Sequence, residues 1–258
     1  MYSFFQKIFT NRTARKVPEV TAFFWIIKLL TTAMGESTSD FLVHHYDPVI
    51  AVLFGAVGFV IAIGLQFFSR KYIAWVYWLT VTMVAIFGTM CADVVHIVFG
   101  VPYLVSTISF AIILIIIFLV WHRVEKTLSI HSIYTPRREL FYWVTVITTF
   151  ALGTATGDMT AITLHLGYLS SGILFALLFA LPLVAYKLFR ANEVLTFWAA
   201  YVVTRPLGAS FADWFGRTAD MGGVGFGTGR TSIVLTICII ILVGYLTITH
   251  RDIKKEKE

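Results

Sequence analysis

The chain has 258 residues, of which 58% are hydrophobic and only 13% are charged, and its mean hydropathy is +0.83. This composition excludes an ordinary soluble domain and predicts an all-α integral membrane protein. The formal charge of +6 lies mostly in the breaks between apolar segments, where it is explained by membrane topology, so a nucleic-acid partner is not expected.

Residues 1–19 form a basic segment interrupted by polar residues, and no cleaved signal peptide is expected there. Eight apolar segments follow, each long enough for the ~30 Å hydrocarbon core of a bilayer. They cover residues 20–44, 48–68, 73–99, 102–121, 140–165, 168–188, 194–216 and 231–249. Cys91 and Cys238 both lie inside such segments, so a disulfide framework is not expected. The sequence therefore predicts a single transmembrane domain of eight helices over residues 20–250.

The distribution of Lys and Arg predicts the orientation of these spans. All but four of the 20 lie in the N-terminal segment, in the breaks after spans 2, 4 and 6 or, for Lys187, at the end of span 6, and in the tail 251–258. Arg217 and Arg230 lie in the opposite set of breaks, while Lys28 and Arg205 lie within spans. Because loops rich in Lys and Arg stay in the cytoplasm, both termini are expected to be cytoplasmic.

The pattern Trp-x9-Gly-x4-Asp occurs four times, once in every odd-numbered span. Its members are Trp25, Gly35 and Asp40; Trp78, Gly88 and Asp93; Trp143, Gly153 and Asp158; and Trp198, Gly208 and Asp213. The pattern predicts four tandem two-helix repeats, over about residues 20–70, 73–123, 138–189 and 193–250. Since each repeat contains two spans, all four are expected to enter the membrane in the same direction, as parallel repeats.

Four tandem two-helix repeats, each with a tryptophan, resemble a family of bacterial integral membrane proteins known as a repeat of unknown function. The resemblance covers about residues 18–250. It implies the eight-helix topology and a location in the bacterial inner membrane, and it implies no activity.

The intramembrane carboxylates predict which helices lie inside. On insertion scales, a charged side chain at the bilayer centre costs about 2.5–3.5 kcal/mol, so Glu36 and the four motif aspartates would cost roughly 12–18 kcal/mol in lipid. Apart from Lys187 at the end of span 6, the even-numbered spans carry no charged residue. We therefore expect helices 1, 3, 5 and 7 to form an inner ring, with the aspartates at one depth in the outer half of the membrane, and helices 2, 4, 6 and 8 to face lipid.

The motif glycines are expected to be close-packing points between helices, and the tryptophans are expected to be cytoplasmic interfacial anchors and packing residues.

Histidines near three of the aspartates suggest accessory metal ligands. His44, His96 and His165 lie four, three and seven residues after the aspartate of their repeat, on the same helix face, and Arg217 takes this place in repeat 4. The residues four before each aspartate are Glu36, Thr89, Thr154 and Ala209. Glu36, Asp40 and His44 form the most acidic corner and the candidate metal site. Carboxylates with imidazoles suit Mn²⁺, Fe²⁺ or Zn²⁺, whereas carboxylates alone suit Mg²⁺, Ca²⁺ or protons. Interfacial histidines that simply contact water remain the alternative interpretation.

The repeats also differ in their basic residues. Lys28 lies eight residues before Glu36 and Arg205 eight before Asp213, so each is a candidate counterion for a carboxylate. Pro206 is expected to kink or break span 7. The glycine-rich segment 221–229 is expected to be a flexible outer loop or a gate.

The favoured function is secondary transport of a cation, a divalent metal ion in the first instance, with coupling to protons and no resident cofactor. A cation channel is the nearest alternative, and a non-transporting membrane scaffold or sensor is another. Two facing aspartates can also activate water, but Ala155 stands where intramembrane aspartyl proteases carry a glycine upstream of Gly157-Asp158, so an enzyme is not expected. The expected partners are the lipid bilayer and an inorganic cation or proton. A monomer and a homodimer both remain open.

Overall fold

The computed structural model describes residues 15–253, which contain α-helices and no strands. Eight long helices follow one another along the chain. They are α1 (Ala22–His45), α2 (Pro48–Phe68), α3 (Ala74–Asp93), α4 (Tyr103–Glu125), α5 (Pro136–Asp158), α6 (Gly167–Phe189), α7 (Glu193–Gly216) and α8 (Thr228–Thr249). Helices α3 and α5 each continue into a π-helical turn, at Val94–Val98 and Met159–Thr163, and short 3-10 helices lie at Ile130–Ser132 and Ala219–Met221. Most of the predicted N-terminal segment and of the predicted tail lie outside the described residues.

Six of these eight helices, α2 to α6 and α8, are long and apolar enough to cross a membrane. The prediction of eight long helices therefore agrees with the structure, while the membrane-spanning character is shown by composition for six. Helices α1 and α7 are 24 residues long each, but they carry Lys28, Glu36 and Asp40, or Arg205 and Asp213, all of them buried. Their lower apolarity follows from these inward-facing charges.

The ends of two helices differ from the prediction, for local reasons. Helix α5 begins at Pro136 rather than near residue 140, because proline suits the first helical position and the Thr135 hydroxyl accepts the Arg138 backbone N–H at 3.3 Å. Helix α4 continues past residue 121 to Glu125, where Lys126 takes a left-handed conformation (φ 57°) and ends it.

The odd-numbered helices pack against one another in cyclic order, α1 on α3, α3 on α5, α5 on α7 and α7 on α1. Each even-numbered helix packs mainly on the odd-numbered helix that follows it, and α8 closes the cycle by packing on α1. Half or more of the most apolar window of α3 and α5 is buried (50% and 61%), against 11–22% in α2, α4, α6 and α8. The protein is thus an inner bundle of four helices with four apolar helices on its outside.

The four motif glycines lie in the seams of this inner bundle. In each seam, a Cβ atom added to the glycine would collide with a residue of the next odd-numbered helix. The contacts are Gly35 to Ala85 (2.4 Å), Gly88 to Phe150 (3.1 Å), Gly153 to Arg205 (2.4 Å) and Gly208 to Thr32 (2.0 Å). Each contacted residue lies three positions before the motif glycine of its own helix. The four seams therefore repeat one packing arrangement, with glycine as the close-approach residue.

The motif tryptophans are packing residues in this structure. Trp78, Trp143 and Trp198 are buried, and Trp25 is half-buried. The Trp198 indole N–H donates to the Leu128 carbonyl at 2.9 Å, in the connection between α4 and α5. The aromatic rings fill the N-terminal half of the inner bundle, away from the motif aspartates.

Of the expectations about repeat 4, a break at Pro206 is wrong, whereas a kink there and a flexible loop or gate over residues 221–229 stay predictions. Helix α7 runs unbroken through Pro206, since Glu193–Gly216 is one continuous α-helix. The loop after α7 folds back on the helix end: the Val224 and Phe226 N–H groups donate to the carbonyls of Trp214 (2.7 Å) and Phe215 (3.0 Å). This loop satisfies carbonyl groups at the end of α7, as the residues that follow a helix commonly do.

Candidate functional site

Three carboxylates converge where α1 and α7 pack together. Glu36 and Asp40 lie one turn apart on α1, and Asp213 lies on α7. One oxygen from each can be chosen so that all three lie within 4.8 Å of one another, and all three residues are buried. Within residues 15–253 this is the one group of acidic, histidine or cysteine side chains close enough together to hold a metal ion.

Arg217 binds two of these carboxylates from the end of α7. Its Nη2 lies 2.6 Å from Asp40 Oδ2, and its Nε donates to Asp213 Oδ1 at 3.1 Å. Arg217 follows the last residue of α7, and its side chain keeps 21% of its exposure, whereas the carboxylates keep 8% and 5%. The guanidinium therefore covers the acidic pair from the more open side.

Arg205 holds all four inner helices together from within α7. Its Nη2 donates to Glu36 Oε2 on α1 at 2.5 Å, to Thr89 Oγ1 on α3 at 2.6 Å and to Thr154 Oγ1 on α5 at 2.8 Å. The two threonine hydroxyls donate in turn to backbone carbonyls one turn earlier, which leaves their lone pairs for the guanidinium. Arg205 is buried, so Glu36 is its charge partner in the core of the bundle.

Lys28 does not take the predicted place beside a carboxylate. Its ammonium lies over the rings of Phe150 and Tyr201, 4.1 and 4.3 Å from their centroids, and no described acidic group lies within ion-pair distance of it. A desolvated cation over an aromatic face gains about 2 kcal/mol, while burying an ion costs several. The two rings therefore offset only part of the cost of burying Lys28.

Asp93 and Asp158 differ from the other two motif aspartates. Both are half-buried, and neither carboxylate forms an ion pair or a hydrogen bond within residues 15–253. Each is the last residue of its α-helix and is followed directly by a π-helical turn. Both lie close enough to Glu36 and Asp213 for their charges to interact. All four motif aspartates thus belong to one electrostatic site, but only two of them are ion-paired.

None of the three predicted histidine ligands joins the acidic cluster. His44 is exposed, and its Nδ1 contacts the backbone carbonyl of Asp40 at 2.7 Å. His96 lies within the π-helical turn that follows Asp93, and its Nδ1 contacts the Val101 carbonyl at 3.0 Å. His165 is exposed in the break after α5, with a left-handed backbone. The predicted site of Glu36, Asp40 and His44 is replaced by one of Glu36, Asp40 and Asp213.

The chemistry of the site follows from its donors and its charge. Its available ligand atoms are carboxylate oxygens, which suit hard cations such as Mg²⁺, Ca²⁺ and Mn²⁺, or protons. Five carboxylates face two arginines, Arg205 and Arg217, in this part of the structure. Carboxyl groups therefore outnumber guanidinium groups here, and only Glu36, Asp40 and Asp213 are contacted by an arginine within the described residues.

Two features of the site were not predicted. The sequence places Arg217 where the other repeats have histidine or an apolar residue. Its contact with Asp40 on α1 could not be predicted, because the sequence does not show that α1 and α7 are neighbours. Thr89 and Thr154 lie four residues before their motif aspartates, as Glu36 does. This shared position could have indicated that the three side chains lie at one level of the inner bundle.

Comparison with known proteins agrees with the internal repeats. The family described as Repeat of Unknown Function (DUF347) matches four times, over residues 23–72, 76–127, 141–192 and 196–252. No curated protein and no solved structure matches this chain. Because the four matches cover most of the chain, the protein belongs to the DUF347 repeat family of unknown function.

Proposed function

We propose that this protein is a secondary transporter for a hard cation, a divalent metal ion in the first instance, and that it exchanges this cation for protons. The observation that carries the proposal is the meeting of Glu36, Asp40 and Asp213 inside one helical bundle, with Asp93 and Asp158 near enough for their charges to interact with Glu36. Five carboxyl groups thus share this part of the bundle with two arginines. Carboxylates and arginines buried in a membrane bundle are costly, and they commonly mark ion pathways and proton relays.

The proposed membrane arrangement follows from the charges and the repeats. The N-terminal ends of the odd-numbered helices face the cytoplasm, as the positive-inside rule predicts, and the four repeats cross the membrane in parallel. The motif aspartates then lie in the outer half of the bilayer, and α2, α4, α6 and α8 face the lipid. The proposed location is the bacterial inner membrane.

In this proposal the two kinds of aspartate act in sequence. Asp93 and Asp158 are unpaired and half-buried, so they receive the cation first. The cation then competes with Arg217 for Asp40 and Asp213, which lie at 2.6 and 3.1 Å from that guanidinium. Protonation of the carboxylates releases the cation and resets the site. No nucleotide-binding motif accompanies the repeats, so an ion gradient would drive the cycle.

The test is ion flux in proteoliposomes that contain the purified protein. Mg²⁺, Ca²⁺ and Mn²⁺ are supplied in turn, and ion-sensitive and pH-sensitive dyes report cation uptake and proton release. We expect saturable uptake of at least one cation, coupled to proton movement, and at least a tenfold loss in the double variant Asp93→Asn/Asp158→Asn. The matched control is Asp220→Asn, an exposed aspartate in the loop after α7, which should retain native flux.

No flux of any of the three ions in the native protein would overturn the proposal, as would native flux in the double variant. Current that rises linearly with voltage without saturation would instead support the cation channel.

A membrane scaffold or sensor is the second candidate, and one observation favours it. Arg205 joins all four inner helices through three side-chain contacts, which is how a purely structural ion pair would act. This alternative predicts that replacing all four motif aspartates by asparagine lowers stability without altering the metal content of cells. Metal content measured by mass spectrometry, at equal membrane levels of native and variant protein, separates the two.

A further inference from the structure

Two buried cations lie side by side in the inner bundle, on the N-terminal side of the acidic cluster. The Lys28 ammonium nitrogen is 4.1 Å from the centroid of the Phe150 ring, and Arg205 Cζ is 5.6 Å from the same centroid. Both side chains are almost fully buried, with 1% of each residue exposed. A second ring, that of Tyr201, lies 4.3 Å from the ammonium nitrogen.

The positive charge of this pair is only partly balanced. Arg205 contacts Glu36 through Nη2 alone, and within the described residues its buried Nε and Nη1 have no hydrogen-bond partner. Across residues 15–253, no carboxylate lies within ion-pair distance of Lys28. Of these two cations, only Arg205 therefore has a carboxylate in direct contact, that of Glu36.

Buried N–H groups without a hydrogen-bond acceptor are rare in folded proteins. The loss of free energy is largest when such a group belongs to a cation. An anion would supply the missing acceptors. The surroundings favour a small one, because the bundle is closely packed here: a Cβ on Gly153 would lie 2.4 Å from Arg205 Cγ. Because the Glu36 carboxylate already lies beside Arg205, a monovalent ion is the anion that adds the least further negative charge.

We propose that a halide-sized monovalent anion binds between Lys28 and the free Nε and Nη1 of Arg205, beside Phe150. The site adjoins the acidic cluster through Arg205, whose Nη2 donates to Glu36, while Lys28 lies about two helical turns before Glu36 on α1. It goes beyond the proposed cation transport and does not depend on it, because an anion here stabilises the bundle whether or not a cation moves.

The test is the melting temperature of the purified protein in detergent, measured in sodium chloride, bromide or gluconate at equal sodium concentration and ionic strength. At a halide concentration ~100 times its Kd, we expect the melting temperature to rise by about 5 °C relative to gluconate. Lys28→Met should abolish this rise, and in gluconate it should melt above the native protein because an uncompensated buried charge is gone. Lys187→Met removes an exposed lysine from α6 and should keep the full halide response.

Equal melting temperatures of the native protein in all three salts would overturn the anion site, and would point to water as the partner of Arg205. A halide response that persists in Lys28→Met would also overturn it, because the anion would then bind elsewhere. Should the Lys28 variant not fold, bromide located by anomalous scattering in crystals of the native protein decides: a peak beside Phe150 supports the site, and its absence refutes it. Since no cation flux is measured, failure here leaves the transport proposal untouched.

Discussion

The inner bundle consists of two unlike halves. In the half formed by α1 and α7, Asp40 and Asp213 lie in regular α-helices, and Arg217 binds both of them. In the half formed by α3 and α5, Asp93 and Asp158 have no such partner among the described residues, and each is followed by a π-helical turn. Equivalent motif positions therefore have different surroundings, and in the proposed function the α3–α5 half receives the cation.

The seams between the helices show the same contrast. The α7–α1 seam is the tightest, since a Cβ on Gly208 would lie 2.0 Å from the Thr32 hydroxyl. The α3–α5 seam is the loosest, with 3.1 Å between a Cβ on Gly88 and Phe150. π-helical turns occur frequently at functional sites, where they alter the direction of the following residues. We therefore expect the α1–α7 half to contribute more to stability, and the α3–α5 half to have the features of a binding site.

Loss of Arg205 should have the largest effect, because both halves depend on it. Arg205→Met would leave Glu36 buried without its partner, and breaking a buried ion pair in this way costs about 3–5 kcal/mol. We expect a large fall in the melting temperature of the purified protein, with most of the loss recovered in Arg205→Met/Glu36→Gln. Arg230→Met, at an exposed arginine, is the control. A native-like melting temperature for Arg205→Met would show that the guanidinium does not hold the bundle together.

The two kinds of aspartate should respond oppositely to neutralisation. Asp213→Asn weakens a charge-assisted contact with Arg217, and we expect a loss of about 1–3 kcal/mol in stability. Asp93→Asn removes a half-buried charge that has no described partner, so stability should stay the same or rise. Thermal unfolding of the two variants under the same conditions measures the difference. Equal destabilisation by both would remove the distinction between the halves.

Adding a methyl group to the seams should follow the observed distances. Gly208→Ala would overpack the tight α7–α1 seam and cost about 1–3 kcal/mol. Gly88→Ala should cost less, because only Phe150 has to move. The control is Gly244→Ala in α8, where a Cβ meets nothing within 4 Å and the higher helix propensity of alanine should be neutral or stabilising. A larger loss of stability in Gly88→Ala than in Gly208→Ala would contradict the conclusion that the α7–α1 seam is the tighter one.

The smallest effect is expected at His44. Its ring nitrogen contacts a backbone carbonyl of its own helix rather than the acidic cluster. His44→Ala should therefore leave both cation flux and its selectivity among Mg²⁺, Ca²⁺ and Mn²⁺ unchanged in proteoliposomes. A loss of Mn²⁺ flux alone would restore the histidine as a ligand.

Much of the fold could be predicted from the sequence, because hydrophobic length and a repeated motif are both local signals. The four Gly and Asp positions of the motif identified the odd-numbered helices, and the glycines indicated where backbones approach closely. The positive charges of Lys28 and Arg205 were also recognised as unusual within apolar segments.

The partners of those charges could not be predicted, because they depend on packing across helices. The sequence spacing placed Arg205 near Asp213 on its own helix, yet its guanidinium extends to Glu36 on α1. Lys28 and Glu36 share a helix, yet Lys28 lies over two aromatic rings instead. The α-helical spacing placed His96 on the face of Asp93, but His96 lies in a π-helical turn, where that spacing does not hold.

The most direct test of the different roles of the two pairs of aspartates is Mn²⁺ binding to the purified protein. Electron paramagnetic resonance of the free ion measures this binding. We expect the native protein and Asp220→Asn to bind one Mn²⁺ per chain, and Asp93→Asn/Asp158→Asn to lose this binding while melting at or above the native temperature. Unchanged binding in the double variant, or no binding by the native protein, would contradict the assignment of Asp93 and Asp158 as the residues that first receive the cation.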